Sequence, residues 1–530
     1  MVVEKLTNTE TRKSRKATNN DILAIKIRTE RNRFAPVKVF IVAFLLLFQV
    51  SVLIAAQLFF ITLFRWFVVI SLVLSIITAI YILSTNKNSQ SKAVWVMFVL
   101  ICFLFGYFIY FISDDRISFS NSRKLYKKIY KESENALTQK ETPKILNSQV
   151  ACSCEYLKSA GDFNAFNGTN VAYFATGTKF FDSILKEIEK SQNFIFIEYY
   201  IISDGILFSR MLDILKAKAQ AGVDVRIIFD DLGSFNTLSH KTKKEMKKAG
   251  IKLGRFNPLV SRFSVALNFR DHRKLLIVDG KVAYTGGANL ADEYVNEKRL
   301  HGYWKDSGIR IEGLAVDSFV LCYLRQWQFV THTKVDYQKF LGHAEKMNST
   351  SAVVPFVDGL DFQTRIGKGL VESIISSSTE KLWIMTPYFI PDDTITNLLM
   401  QKAMAGVDVR IILPEIADKK MVYVVSRTNA EKLMKSGVKI FVMKNSFVHS
   451  KIVLNENSVL VGSINIDLRS FYQQFESAVF TDDKSAMNDV EKDFENVFKV
   501  CAQIDEENSY QKNFYKKILA GVLRILSPFM

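Results

Sequence analysis

His272 and Lys274 stand two residues apart, as do His449 and Lys451, 177 residues further along the chain. Asp279 follows the first pair and Glu456 the second, each five residues after its lysine. An imidazole titrates near ~6.5, so it can attack or protonate at phosphorus close to neutral pH. A lysine beside it supplies a fixed cation for a phosphate oxygen. In an extended strand residues i and i+2 share a face, so each His-x-Lys presents its imidazole and its ammonium side by side. A lone copy could be a solvated basic strand end. Two copies in matching surroundings read as two halves of one phosphate-handling site.

The surroundings do match. Leu-Leu-Ile-Val at 275–278 and Ile-Val-Leu at 452–454 read as buried strands, each followed by a turn, a second strand and a small-residue turn. Those turns are Gly286-Gly287-Ala288-Asn289 and Gly462-Ser463-Ile464-Asn465. Glycine lets backbone approach a phosphate, and the Asn289 and Asn465 amides can donate to its oxygens. Upstream, Ala-Gly-Val-Asp-Val-Arg-Ile-Ile at 221–228 recurs unchanged at 405–412, each copy after an apolar strand and a helical stretch. Alternating strands and helix-length segments predict an α/β fold with largely parallel sheets, and the long period predicts a domain duplication. The halves are placed at 149–345 and 346–508, related by a pseudo-twofold axis that brings both histidines to one phosphate.

These residues resemble the phospholipase D superfamily, whose signature is His-x-Lys-x4-Asp in two copies, and within it the bacterial cardiolipin synthases. Arg270-Asp271-His272-Arg273-Lys274, Gly286-Gly287-Ala288-Asn289-Leu290-Ala291-Asp292-Glu293-Tyr294 and Tyr303-Trp304-Lys305-Asp306 carry the likeness in the first half. Thr386-Pro387-Tyr388-Phe389-Ile390-Pro391-Asp392, Asn465-Ile466-Asp467-Leu468-Arg469-Ser470-Phe471 and Phe475-Glu476 carry it in the second. Tyrosyl-DNA phosphodiesterases lack the aspartate of the motif and fit less well. The resemblance implies a duplicated phospholipase D-type α/β sandwich. It implies a catalytic set of His272, Lys274, Asp279, His449, Lys451 and Glu456, with Glu476 orienting an imidazole and Asp306 as the matching candidate in the first half. Glu456 departs from the family's aspartate by one methylene. That change is harmless if the carboxylate tethers backbone and damaging if it positions the lysine or histidine.

The six histidines are scattered, and neither Cys-x-x-Cys nor His-Glu-x-x-His occurs, so no metal and no cofactor is expected. Phosphodiester charge then falls to Lys274, Lys451, Asn289 and Asn465. His272 is assigned as nucleophile and His449 as the acid for the departing glycerol oxygen, an order that sequence symmetry leaves open. The acceptor implied by the resemblance is a second phosphatidylglycerol, giving cardiolipin. With water as acceptor the same residues make a hydrolytic phospholipase D, and without turnover a lipid-binding scaffold.

Three apolar stretches, about 39–63, 66–83 and 93–112, are each long enough to cross a bilayer, which needs ~20 residues. They predict a multi-pass membrane protein, and the resemblance implies the bacterial cell membrane. Residues 1–38 carry ten Lys or Arg against four Asp or Glu, and Arg116, Arg123, Lys124, Lys127, Lys128 and Lys131 follow the last stretch. Both flanks favour the cytoplasm, which an odd number of crossings cannot satisfy; either one segment is re-entrant or interfacial, or the second basic stretch faces anionic lipid outside. A basic linker is expected at 113–148. Phe514, Ile518, Val522, Ile525 and Phe529, interleaved with lysines, predict a basic amphipathic helix within 509–530. Formal charge is +17 with a pI near 9.4, which favours anionic partners. The apolar N-terminal region weighs toward anionic lipids rather than nucleic acid, and the resemblance implies phosphatidylglycerol among them. The five cysteines show no disulfide pattern.

Overall fold

The computed structural model describes residues 34–59, 61–85, 87–114, 119–137, 143, 145–258, 269–505, 509–510, 518–519, 521 and 523. The chain divides into two compact units, Met1–Asp114 and Asp115–Met530. Most of the basic N-terminal segment and of the expected amphipathic helix at 509–530 lies outside the described residues.

The first unit is helical: α1 (Phe34–Phe59), α2 (Ile61–Ser84), α3 (Ser89–Ile101) and α4 (Gly106–Ser113). Leu63–Ser84 is long and apolar enough to cross a membrane, and Ala43–Ala55 and Ser89–Ile101 are shorter apolar stretches. Phe44, Leu47, Leu63, Trp66, Ile70 and Ile80 point outward, an arrangement that suits lipid and not water. The third expected span is not one helix. Residues 102–105 form a turn between α3 and α4.

In the second unit, two mixed sheets repeat one topology. The first has the order β1 (Thr169–Phe174), β9 (Gly308–Gly313), β7 (Val282–Gly286), β6 (Lys274–Val278), β2 (Phe194–Tyr199), β3 (Asp224–Asp230), β4 (Lys252–Phe256). The second runs β10 (Val353–Asp358), β19 (Gln474–Thr481), β17 (Val459–Gly462), β16 (Ile452–Asn455), β11 (Lys381–Met385), β13 (Asp408–Pro414), β14 (Lys439–Met443), β20 (Cys501–Gln503). The expectation of largely parallel sheets is corrected. Along these two strand orders only β2–β3–β4 and β11–β13–β14 pair in parallel, and the other neighbours are antiparallel. The cause is local: Asp279-Gly280 returns the chain directly as a hairpin, both residues at positive φ, where a helical crossover would have kept strands parallel.

Both faces of the first sheet are covered, which is why β2 is apolar at every position but Glu198. Ile195, Ile197 and Tyr199 pack with α7 (Gly177–Lys190) and α8 (Ile206–Gln220), while Phe194 and Phe196 join the core that includes α10 (Val316–Thr331) and the second sheet. The expected linker also belongs to this body. α5 (Ser120–Glu132) buries Tyr126 and Ile129; Tyr126 stacks on Phe329 with ring centroids 4.0 Å apart, and its hydroxyl donates to Gln326 Oε1 at 2.7 Å. Its lysines occupy the other helix face, so basic composition concealed an amphipathic core helix.

Candidate active site

Each histidine is carried by a short strand that pairs with the opposite half. β5 (Arg270–Asp271) runs parallel to β19, and His272 N–H donates to Phe475 O at 2.8 Å. β15 (Ser446–Val448) runs parallel to β8 (Tyr303–Lys305), and His449 N–H donates to Lys305 O at 2.7 Å. Asp230 at the end of β3 fixes the first segment by accepting from Asp271 N–H at 3.0 Å. Each histidine lies beside its lysine, but His272-Arg273 and His449-Ser450-Lys451 fall between strands and not within the single extended strand expected for His-x-Lys. Lys274 Nζ reaches His272 O at 2.5 Å, and Lys451 Nζ lies 2.8 Å from His449 Nδ1. Arg273 turns away, its guanidinium over the Phe475 ring and 3.3 Å from Glu198 Oε1.

The orienting carboxylates cross between halves in the same way. Glu476 Oε2, in β19, lies 2.9 Å from His272 Nδ1; Asp306 Oδ2, after β8, lies 2.8 Å from His449 Nδ1. Asp306 therefore matches Glu476 but holds the imidazole of the second half. A carboxylate on Nδ1 fixes the tautomer and leaves Nε2 as the lone pair for chemistry. Ser470 and Ser463 were not expected in the site: Ser470 Oγ donates to Glu476 Oε1 at 2.6 Å, and Ser463 Oγ donates to Oε2. At the repeat position of Ser463 the first half has Gly287, where a Cβ would stand 2.2 Å from Asp306 Oδ1. The pairs Gly287 with Asp306 and Ser463 with Glu476 thus fill their spaces differently, a signal visible only when the repeats are aligned. Tyr200 meets His272 edge-on with centroids 5.2 Å apart, as Tyr294 meets His449 at 5.3 Å.

Both imidazoles and both lysines are buried. Burial, then the nearby Lys274 and Lys451, hold His272 well below its usual range; burial and Lys451 bring His449 down to about 4. Burial lowers Lys274 to about 7 and Lys451 to about 8, and raises Glu476 to about 8. Both histidines are therefore neutral at pH 7 in the empty site. An entering phosphodiester brings negative charge that favours the protonated forms of the lysines and of one imidazole.

Asp279 and Glu456, expected with the catalytic set, lie elsewhere. Asp279 is at the far end of β6 from Lys274, five residues or roughly 16 Å along a strand. It accepts from the backbone N–H groups of Gln192, Asn193 and Phe194, each at 2.8 Å, and from Ser191 Oγ at 3.0 Å. Glu456 does the same in the second half, accepting from Thr379 N–H and Oγ1 at 2.8 Å and from Lys381 N–H at 3.4 Å. Both tie a helix–strand turn to a hairpin. The longer glutamate is accommodated because its oxygens serve an exposed turn, not an imidazole. Asn289 is likewise engaged, accepting from Ile201 N–H at 3.2 Å and donating to Tyr294 Oη at 2.6 Å. Asn465 is buried beside Ser470, whose Oγ accepts its backbone N–H at 3.0 Å.

The family description "Cardiolipin synthase, PLD-like domain" matches residues 184–300 and 371–498, one match in each half. Cardiolipin synthase 2 of Bacillus cereus is 30% identical over 84% of this chain and 88% of its own length. The chain belongs to the cardiolipin synthase family. An uncharacterized protein of Streptococcus mutans serotype c is 34% identical to this family member over 71% of the chain and 82% of its own length. In fold it is similar to a crystal structure of phosphatidylserine synthase from Haemophilus influenzae Rd KW20, with TM-score 0.55 and 16% identity over 72% of this chain and all of that one.

Proposed function

We infer that the protein is a cardiolipin synthase that transfers a phosphatidyl group from one phosphatidylglycerol to another, at a membrane that α1 and α2 cross. The observation that carries the mechanism is the crossed pair of imidazoles, each with Nδ1 on the other half's carboxylate and each beside a lysine. His272 Nε2 attacks phosphorus while His449, protonated as the anionic substrate enters, gives its proton to the departing glycerol oxygen. A P–N bond forms, a P–O bond breaks, and glycerol leaves. His449, now neutral, takes the proton from the terminal hydroxyl of the second phosphatidylglycerol, whose oxygen displaces His272 from phosphorus. Lys274 and Lys451 offset the charge on the phosphoryl oxygens in both steps. Asp306 and Glu476 act by fixing the tautomers. Phosphatidylglycerol labelled at phosphorus, quenched under alkaline denaturing conditions, should leave label on His272. Label on His449 reverses the two roles, and label on neither removes the covalent step.

A further inference from the structure

The break in the third apolar segment is built, not frayed. Gln49 Nε2 from α1 donates to Ile101 O at 3.3 Å, and Ser75 Oγ from α2 donates to Phe103 O at 2.8 Å. Gln49 and Ser75 are both buried. Carbonyls released by a helix break inside a bilayer need such partners, because lipid offers none. Ser75 lies nine residues before the end of α2, about 13 Å along the axis, so the break sits near the middle of a ~30 Å hydrocarbon core.

Beyond the break the chain turns back. Trp95 in α3 and Tyr110 in α4 have ring centroids 5.2 Å apart, where a continuous helix would separate residues fifteen apart by about 22 Å. Gly106 approaches so closely that a Cβ there would stand 2.8 Å from Val99 Cα. Lys87, just before α3, lies 3.4 Å from Asp114, just after α4, and its ammonium lies over the Tyr110 ring. The segment's two ends are therefore together.

We propose that α3 and α4 form a re-entrant hairpin that leaves the bilayer on the side it entered, so that the chain crosses twice and the histidine site serves the cytoplasmic leaflet. The proposal rests on the membrane reading of α1 and α2. It removes the conflict between the two basic flanks: residues 1–38 and the run from Arg116 to Lys131 fall on one side, both obeying the positive-inside rule. The lipid donor and acceptor are then phosphatidylglycerols of the inner leaflet.

The test places single cysteines in a full-length chain whose five natural cysteines are serine, expressed in bacterial cells and probed with a membrane-impermeant maleimide. Thr62→Cys, in the first turn of α2, should react in intact cells. Asn88→Cys and Glu134→Cys should react only after permeabilisation. Reaction of Glu134→Cys in intact cells while Asn88→Cys stays protected would show a third crossing and overturn the proposal. Independently, a bismaleimide of about 10 Å reach should join Lys87→Cys to Asp114→Cys in isolated membranes, whereas a full span would hold them about 30 Å apart. Failure to join them also overturns it. Cardiolipin content of the same cells reports separately on the catalytic reading.

Discussion

At the residue scale, the site is defined by what holds Nδ1 of each imidazole. Gly287 is the most exposed point of that arrangement to substitution, because a methyl group there meets Asp306 Oδ1 and the His449 carbonyl. Gly287→Ala should displace Asp306 and lower the rate of cardiolipin formation on the order of 10²-fold, the scale of losing an orienting contact, while thermal unfolding stays near wild type. Comparing the two readouts checks this. The pH profile carries a second expectation. Lysine loses its charge above its pKa, so with Lys274 at about 7 and Lys451 at about 8, kcat/KM should fall as pH rises through 7 to 8. On the acid side the nucleophile must be neutral, and burial with Lys274 and Lys451 holds His272 well below its usual range, so activity should persist below the ordinary imidazole range. A profile centred on an unperturbed imidazole near ~6.5 would contradict this burial-driven shift. The histidines and lysines were legible from their spacing alone. Ser463 and Ser470 were not, because a serine in a small-residue turn has no spacing signature until its partner carboxylate is placed beside it.

At the element scale, Asp279 and Glu456 show that a motif residue need not touch the chemistry it marks. Each ties a hairpin to a helix–strand turn and so fixes the base of the strand whose other end bears the lysine. Glu456→Asp should therefore retain wild-type turnover. Glu456→Ala, which leaves turn N–H groups without their acceptor, should lower stability by about 1–2 kcal/mol with kcat per folded molecule retained. Denaturation and active-site titration separate the two effects. Helix α5 makes the related point for composition. Its lysines made residues 113–148 read as a linker, yet Tyr126 is buried on the Phe329 and Phe475 rings. Tyr126→Ala should lower the stability of the full chain in detergent by about 3 kcal/mol or more, read as a drop in Tm. Strand existence and the duplicated order were legible from apolar runs. Strand direction was not, because a run buried on both faces looks alike in parallel and antiparallel sheets.

At the scale of the whole molecule, duplication and exchange explain why one site needs both halves. Each half pairs its histidine strand with a strand of the other half and lends a carboxylate to the other's imidazole. Neither half alone contains a complete histidine with its orienting partner, so separating the halves abolishes the chemistry rather than halving it. The hydropathy pattern showed three apolar stretches of sufficient length; the fold-back in the third was hidden because a half-span hairpin and a full span have similar composition. The central claim, transfer between two phosphatidylglycerols, is tested most directly by supplying purified full-length protein with phosphatidylglycerol alone, its headgroup glycerol labelled, and following products by mass spectrometry. One cardiolipin and one labelled glycerol should appear for every two phosphatidylglycerols consumed, and neither should appear with His272→Ala or His449→Ala. Phosphatidic acid without cardiolipin, or cardiolipin formed undiminished by either variant, would contradict it.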